Sequence, residues 1–451
     1  MTVQTPRRCP RKGEHPARRR AVSKLHLCVE GLTLHLSYTK IVFAYALEVR
    51  VVNVTVGSNT GQTELVEQGR SRIKWIRSRM AMLASTRSEF ETSQPFAGRR
   101  IGVSLHIEPK TAVLLETLHA GGAEIVGTGN HGSTQDDIVA FLQSQGIAIL
   151  GSRADTLADH HANLERVLDA KPDILLDNGA DLAAGVLARG MASAIVGGTE
   201  ETTSGGDRLR GELGGKLPFP SIVINDSPLK QLAENKHAVG QSVVESFMRI
   251  TNLMVPGRRF CVIGYGWCGR GIAQYLRALG GRVAVAEVDE IKALEAALDG
   301  YRVATLDALA PWAEVFITAT GRAGVLPAAA VSTMASGAVL ANSGHFPWEI
   351  EVDRLRDMAT KITDLGGALQ RFDFSDGRHV ILVADGRMFN LAGREPKGNS
   401  IESMDLGFML QALSLERVAK GSGLIAGAQP VPDDINRRIA RLMVATMRSA
   451  A

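Results

Sequence analysis

The stretch "CVIGYGWCGRG", Cys261 to Gly271, sets Gly264, Gly266 and Gly269 in a G-x-G-x-x-G spacing directly after an apolar run. In a strand-to-helix turn the first glycine permits the tight bend and the second lets the backbone approach a pyrophosphate. The third lets the helix pack against the strand. Glu287 follows about 20 residues on, at the end of the next apolar run, where a carboxylate accepts from ribose hydroxyls and repels a 2′-phosphate. The pair of features points to a dinucleotide site that prefers NAD to NADP. A glycine turn serving only packing would not need the acid at that distance. Two residues complicate the site: Trp267 is bulky for a pyrophosphate turn, and Lys292, one helical turn past Glu287, is placed to soften the preference for NAD.

Such a turn works only if a parallel sheet holds it, and the sequence supplies two series of alternating elements. In the first, "GRRIGVSLHI", "AEIVGTG", "IAILGS", "DILLDNG" and "ASAIVGG" read as strands. Between them lie helical stretches such as "KTAVLLETLHAGG" and "TQDDIVAFLQSQG", the latter capped by Thr134 or Ser133. The second begins at Gly257 with "RRFCVIG", "RVAVAEVD", "EVFITATG" and "GAVLANSG". Strands alternating with helices imply parallel sheets covered on both faces. The expected fold is therefore α/β, with two doubly wound parallel-sheet domains, the second a Rossmann NAD-binding domain, plus a small C-terminal helical segment. Residues 64–235 and 392–421 are assigned to a substrate domain, 236–391 to the NAD-binding domain and 422–451 to the C-terminal helix. The helix "SVVESFMRIT" is expected to cross between the two domains.

Composition narrows the class. The 451 residues are 45% hydrophobic and 22% charged, as in a globular protein. No apolar run approaches a membrane span. The formal charge of +4 is concentrated at the N-terminus, where residues 1–24 hold eight Lys or Arg against Glu14 alone, so the remainder is mildly acidic. That argues against a nucleic-acid surface. Residues 1–63 read as a basic, disordered or misannotated extension. Cys9, Cys28, Cys261 and Cys268 form neither a disulfide framework nor a paired metal motif, so no metal and a reducing, cytoplasmic setting are expected.

Several further stretches follow one another in a telling order: "SLHIEPKTAVLLETLHAGGAEI", "STQDD", "ILLDNGADL", "GTEETTSG", "INDSPLKQLAEN", "GYGWCGRG", "AEVDEIKALEAALDGY", "TATG", "NSGHF" and "GRMFNLA". In content and order they resemble S-adenosylhomocysteine hydrolases, from about Glu64 to about Met443. The resemblance implies why a hydrolase would need NAD. Oxidising the 3′-hydroxyl of a nucleoside thioether to a ketone acidifies the 4′ hydrogen, so the 5′ thiol is eliminated. Water then adds, and the cofactor returns its hydride. By this resemblance Glu201 binds the ribose hydroxyls, and Lys230 is the base or proton relay at the 3′ position, its pKa tunable by burial. Glu234 stands where the family has aspartate, and His106 and His345 flank the 5′ end. Thr202, Thr203, Ser204, Asn235 and Asn390 match positions touching the nicotinamide half, and Thr320 belongs to the cofactor's loop. Taken alone, Glu201 and Thr202 could equally cap a helix.

The departures from the family pattern fall at the 5′ and base ends. Asn178 replaces a carboxylate that would work beside His106, and Val239 replaces a hinge cysteine. "EPKGNS", Glu395 to Ser400, replaces a histidine-bearing gate, with Lys397 its obvious polar substitute. Glu108 and Lys110 stand where threonine and glutamate are expected at the base. Lys110 would favour a 6-oxo base such as hypoxanthine unless Pro109 shifts the loop, turning Glu108 to the base and Lys110 to solvent. The expected function is NAD-dependent hydrolysis of S-adenosyl-L-homocysteine or a close relative. The alternatives are the same chemistry on another thioether such as S-inosylhomocysteine, and a catalytically weak NAD- and nucleoside-binding regulator. The resemblance also implies a homo-oligomer. The family's C-terminal tail carries a lysine and a tyrosine over a neighbour's cofactor, whereas this chain has no lysine after Lys420 and no tyrosine after Tyr301, so a more exposed NAD is expected.

Overall fold

Short apolar runs closed by glycine become the strands of two sheets, because a parallel sheet covered on both faces buries successive residues without alternation. The computed structural model describes residues 61–345, 347–393 and 395–449. The basic segment before Gly61, with Cys9 and Cys28, lies outside the described residues. From Gly61 onward the chain forms one unit.

The first six strands are β1 (Arg100–Leu105), β2 (Glu124–Gly129), β3 (Ala148–Leu150), β4 (Ile174–Asp177), β5 (Gly197–Glu200) and β6 (Pro220–Val223). The next eight are β7 (Arg259–Ile263), β8 (Arg282–Ala286), β9 (Arg302–Val303), β10 (Val315–Thr318), β11 (Ala338–Asn342), β12 (Lys361–Gly366), β13 (Leu369–Asp373) and β14 (His379–Val383), and β15 is Gly427–Pro430. The first sheet runs β15-β6-β5-β4-β1-β2-β3 and is parallel throughout. The second runs β12-β13-β14-β11-β10-β7-β8-β9, parallel except where β13 pairs antiparallel with β12 and β14. Both faces of the first sheet are covered. Ile101, Val103, Ile174 and Leu176 pack with Leu114, Leu118, Met409 and Leu413. Leu175 and Val223 pack on the other side with Val167, Leu168 and Val186.

In each sheet the strand order reverses at one place, and ligands of open α/β sheets bind outside the carboxyl ends at that place. In the first sheet β1 lies between β4 and β2, so the crevice opens beyond His106 and Asn178. In the second β7 lies between β10 and β8, so it opens beyond Gly264 and Thr320.

The expected two-sheet organisation is present, with four local differences. "ASAIVGG" is not a strand throughout: Ala192–Ala194 is a 3-10 turn, and β5 begins only at Gly197. The helix Asp136–Ser144 starts after Gln135 with no side-chain cap, because Ser133 and Thr134 are engaged with His106 and the Asn130 carbonyl. The C-terminal segment holds a strand as well as the helix Asp433–Ser449, and that strand, β15, extends the first sheet beside β6. The crossing helix begins earlier than expected. Lys230–Ala238 is wound as a π-helix that runs straight into the α-helix Val239–Thr251. π-turns are rare and concentrate at functional sites.

That crossing helix lies close against the helix Trp267–Ala278 of the glycine turn. A Cβ on Gly271 would stand 1.8 Å from the Lys236 carbonyl oxygen. Gly271→Ala must therefore force two backbones apart, with an expected loss of about 1–3 kcal/mol as for other overpacked sites. Urea denaturation at fixed pH measures it, and an unchanged midpoint would contradict this packing.

Candidate active site

Three charged residues from two elements meet in the interior. Glu201 follows β5, while Lys230 and Glu234 share the π-helical segment, and all three are buried. Glu201 Oε1 accepts from Lys230 Nζ and Oε2 accepts from Gln411 Nε2. Lys230 Nζ also lies 2.5 Å from Glu234 Oε1. Burial would lower the lysine's pKa, but the charges of Glu201 and Glu234 overcome it and raise it. Lys230 is thus held as an ammonium between two carboxylates in this state. Burial pushes Glu234 up, against the pull of Lys230. Its Oε2 is buried without a hydrogen-bond partner, and a Cβ on Gly407 would stand 2.4 Å from that oxygen. The long helix Ile401–Lys420 can pass here only as glycine, and one turn later it delivers Gln411. Sequence reasoning missed Gln411; the available signal was a glutamine inside the largely apolar "GFMLQALSL".

The two histidines expected at the 5′ end come together. His106 follows β1 and His345 follows β11, with ring centroids 5.9 Å apart and edge-to-face. His106 Nδ1 lies 2.6 Å from Ser133 Oγ. Burial, then the charges of His345, His160 and Lys230, lowers His106 to about 3. Burial also lowers His345 to about 4, against the attraction of Asp181. Both rings are neutral at pH 7. Asn178 sits beside them, buried, its Oδ1 accepting from Asn130 Nδ2 at 3.4 Å. The turn that carries it is anchored from below, where Glu200 accepts from the Gly179, Ala180 and Thr202 amides and Asp177 from those of Leu182 and Ala183.

Glu108 and Lys110 form a buried pair at 2.8 Å. Lys110 Nζ also donates to the Lys397 carbonyl at 2.9 Å. The alternative in which Lys110 turns to solvent is therefore not realised. The replaced gate segment differs from expectation too: the Lys397 side chain is exposed, and Asn399 is the residue that reaches inward. Its Nδ2 donates to Glu234 Oε1 at 3.2 Å, and its Oδ1 accepts from Ser242 Oγ at 3.1 Å.

At the second crevice Gly264 takes φ +98°, and a Cβ on Gly269 would stand 2.0 Å from the Gly264 carbonyl oxygen. Nothing lies within 4 Å of a Cβ built on Gly266, so the turn's outer face has the room a pyrophosphate needs. Glu287 accepts from the Tyr265, Val288 and Asp289 amides at 2.7, 2.7 and 3.0 Å, which holds its carboxylate at the mouth of the turn. Lys292 pairs with Asp289 at 3.5 Å on the exposed helix start, and the Arg270 guanidinium lies 4.8 Å over the Trp267 ring. Thr320 donates through its amide and hydroxyl to buried Glu349. Asn390 Nδ2 donates to Ser242 Oγ, while its Oδ1 is buried without a partner, an acceptor suited to a carboxamide N–H. Asn235 and Thr203 are linked through Asn225. Thr202 Oγ1 accepts from the Gly205 amide and lies 3.2 Å from Ser204 Oγ, so Thr202 does cap a helix. The crevice and the ion cluster adjoin: burial and the Glu234 charge push the Cys268 thiol up to about 12, with Lys230 and Glu349 also acting on it. The open turn and the orphaned acceptor fit NAD.

A histidine that is neutral in the fold but protonates in the unfolded chain withdraws stability as pH falls below its ordinary value of 6.5. His106 therefore contributes stability that is present above pH 6.5 and is lost on acidification toward its folded value. His106→Gln should flatten the fall in thermal midpoint between pH 6.5 and 4. A variant and wild type with parallel pH curves would contradict the neutral, buried state of this ring.

Comparison with known proteins agrees with this geometry. Residues 60–194 match the family S-adenosyl-L-homocysteine hydrolase, and residues 235–395 match S-adenosyl-L-homocysteine hydrolase, NAD binding domain. The chain is 43% identical to the S-inosyl-L-homocysteine hydrolase of Methanopyrus kandleri, over 85% of this chain and 91% of that protein. It is 41% identical to the adenosylhomocysteinase of Sulfolobus acidocaldarius, over 84% and 91%. It is 40% identical to the S-inosyl-L-homocysteine hydrolase of Methanothermobacter thermautotrophicus, over 85% and 93%. With both of the family's regions matched in order and these relatives aligned along most of its length, the chain belongs to the S-adenosyl-L-homocysteine hydrolase family and has NAD as its cofactor.

Proposed function

We propose that the protein hydrolyses an S-nucleosidyl-L-homocysteine to the nucleoside and L-homocysteine, and the observation that carries this is the Glu201–Lys230–Glu234 cluster beside the NAD crevice. When bound, NAD supplies a reversible acceptor for the hydrogen at the 3′ carbon. Glu201, fixed by Gln411, accepts from the ribose hydroxyls. Lys230 takes the 3′-hydroxyl proton while passing one of its own to Glu234, whose raised pKa and unpartnered Oε2 suit it to hold that proton. The proton returns by the same route when the hydroxyl is restored.

At the 5′ end Asn178 cannot accept a proton, so the neutral histidines carry them. One ring takes the 4′ proton and delivers a proton to the departing sulfur. The incoming water is served in reverse. The reading predicts that Lys230→Ala retains bound NAD but loses the reduced-cofactor absorbance that a nucleoside induces in wild type. An unimpaired signal in that variant would contradict the relay.

The base end supports the inosyl substrate. Lys110 already donates to Glu108 and to the Lys397 carbonyl, which leaves one charged N–H, and Glu108 retains a carboxylate oxygen. Hypoxanthine presents a carbonyl for that donor and a ring N–H for that acceptor. S-inosyl-L-homocysteine is expected to be used at least as well as the adenosyl thioether, and Lys110→Glu to move preference toward adenosyl. A strong wild-type preference in kcat/KM for S-adenosyl-L-homocysteine would overturn this.

A homo-oligomer is supported by the apolar residues exposed on and before one cofactor-domain helix, Val288, Ile291, Leu294 and Leu298; sedimentation as a monomer would contradict it. A cytoplasmic setting accords with the two free cysteines among the described residues and with the lack, among those residues, of a helix long and apolar enough to cross a membrane. Recovery of the protein with a membrane or secreted fraction would contradict that.

A further inference from the structure

The carboxylates on either side of Lys230 are not held alike. Glu201 has a bond on each oxygen, from Lys230 on one and from Gln411 on the other. Glu234 has both of its bonds on Oε1, from Lys230 at 2.5 Å and from Asn399 Nδ2 at 3.2 Å, and none on Oε2. Around it stand Lys230 from its own helix, Glu201 from the end of β5 and Cys268 from the cofactor helix, while the helix Ile401–Lys420 faces it with Gly407. Asn399, from the segment before that helix, supplies a neutral donor to the same oxygen that faces the ammonium.

The direction of this donor is determined. A carboxylate can only accept, so the Asn399 amide turns its nitrogen to Glu234 and its oxygen to Ser242. Ser242 Oγ accepts from Asn390 Nδ2 at 3.0 Å, which leaves its hydrogen for Asn399 Oδ1 at 3.1 Å, with the Val239 carbonyl at 3.2 Å as the competing acceptor. Glu234, Ser242 and Asn390 are all buried. The two residues before Asn399 bring its backbone here. The Lys397 carbonyl accepts from Lys110 Nζ at 2.9 Å, and Gly398 takes φ +62°, with a Cβ built on it only 2.8 Å from Leu391 Cδ2. Asn399 is thus pinned at its backbone and at its amide oxygen, with one N–H aimed at Glu234.

We propose that Asn399 is a positioning residue of the reaction that acts through Glu234: locked by Ser242, its amide holds the Glu234 carboxylate against Lys230 as the acceptor for the ammonium's proton. The assignment rests on the hydrolase reading above. Burial and the charge of Glu201 favour the protonated form of Glu234, while Lys230 and the Asn399 N–H favour the carboxylate. A Glu234 that already carries a proton cannot take one from Lys230, so the relay runs only above the pH at which Glu234 ionises. Without the Asn399 N–H that pH is higher.

The test follows the rate at which reduced-cofactor absorbance appears when inosine, or separately adenosine, is added to the full-length holoenzyme, across the pH range in which the fold is intact. Asn399→Asp keeps the length of the side chain and the acceptor for Ser242 but has no N–H to give, and its charge works in the same direction. Asn399→Leu removes donor and acceptor and adds no charge, and the Ser242 hydrogen then goes to the Val239 carbonyl. Both variants should move the acid limb of the rate upward by about one to two pH units, the size of one hydrogen bond to a charged group. Bound NAD and the nucleoside dissociation constant on the alkaline plateau should be unchanged. A residue that only held its segment in place through Ser242 would be replaced by Asp without a shift, so an acid limb superimposed on that of wild type in either variant overturns the proposal. So does a loss of rate that is the same at every pH. Wild type separates the two levels: with its absorbance present, an unmoved limb overturns the role of Asn399 alone, and its absence with both nucleosides overturns the hydrolase reading and that role together.

Discussion

One ammonium held between two carboxylates governs the rest of the site. Removing three charges from water costs several kcal/mol per ion, and it is tolerated only when geometry pairs them closely and further hydrogen bonds satisfy what is left. Lys230 meets that condition through Glu201 and Glu234, Gln411 completes Glu201, and Asn399 completes one oxygen of Glu234. The cluster therefore ties together the end of β5, the π-wound crossing helix, the returning helix Ile401–Lys420 and the segment before it. The crossing helix that carries Lys230 and Glu234 is also the element on which Gly271 of the cofactor helix packs.

The electrostatics divide the cleft into two halves. Toward the cofactor it holds a net negative cluster around one lysine. Toward the 5′ end it is neutral, with His106 and His345 unprotonated and Asn178 in place of a carboxylate. A carboxylate at position 178 would favour a charged imidazolium nearby. Its absence lets both rings pass protons without storing one. In the proposed reaction the replacement leaves proton transfer at the 5′ end to the histidine pair.

Much of the fold was legible because buried parallel strands announce themselves as apolar runs ended by glycine, and "FCVIG" and "AVLAN" need no context to be read. The strand "GAQP" had no such run; it exists because β6 offers an edge, which is tertiary information. The π-winding of Lys230–Ala238 was likewise hidden, since i and i+4 residues look alike in π- and α-helices until the backbone is seen. At the site, the glycine turn and its acid were readable from spacing, whereas Glu201, Lys230 and the histidines took their meaning from family order. Ser133 could be read as a cap or as a partner for His106, and only the distance decides. Lys110 was ambiguous for the same reason, because whether a lysine two residues from a glutamate pairs inward depends on the carbonyl at Lys397, 287 residues away.

The most direct test of the central claim, that the same hydrogen leaves and returns within one catalytic cycle while protons move at the neighbouring carbon, is isotopic. S-inosyl-L-homocysteine carrying deuterium at the 3′ carbon would be hydrolysed by the purified holoenzyme in ordinary water, with no external oxidant. A parallel run would use unlabelled substrate in heavy water. The account predicts that the product nucleoside keeps its 3′ deuterium in the first run and gains deuterium at the 4′ carbon in the second. Loss of the 3′ label, or hydrolysis with no solvent exchange at the 4′ carbon, would contradict it.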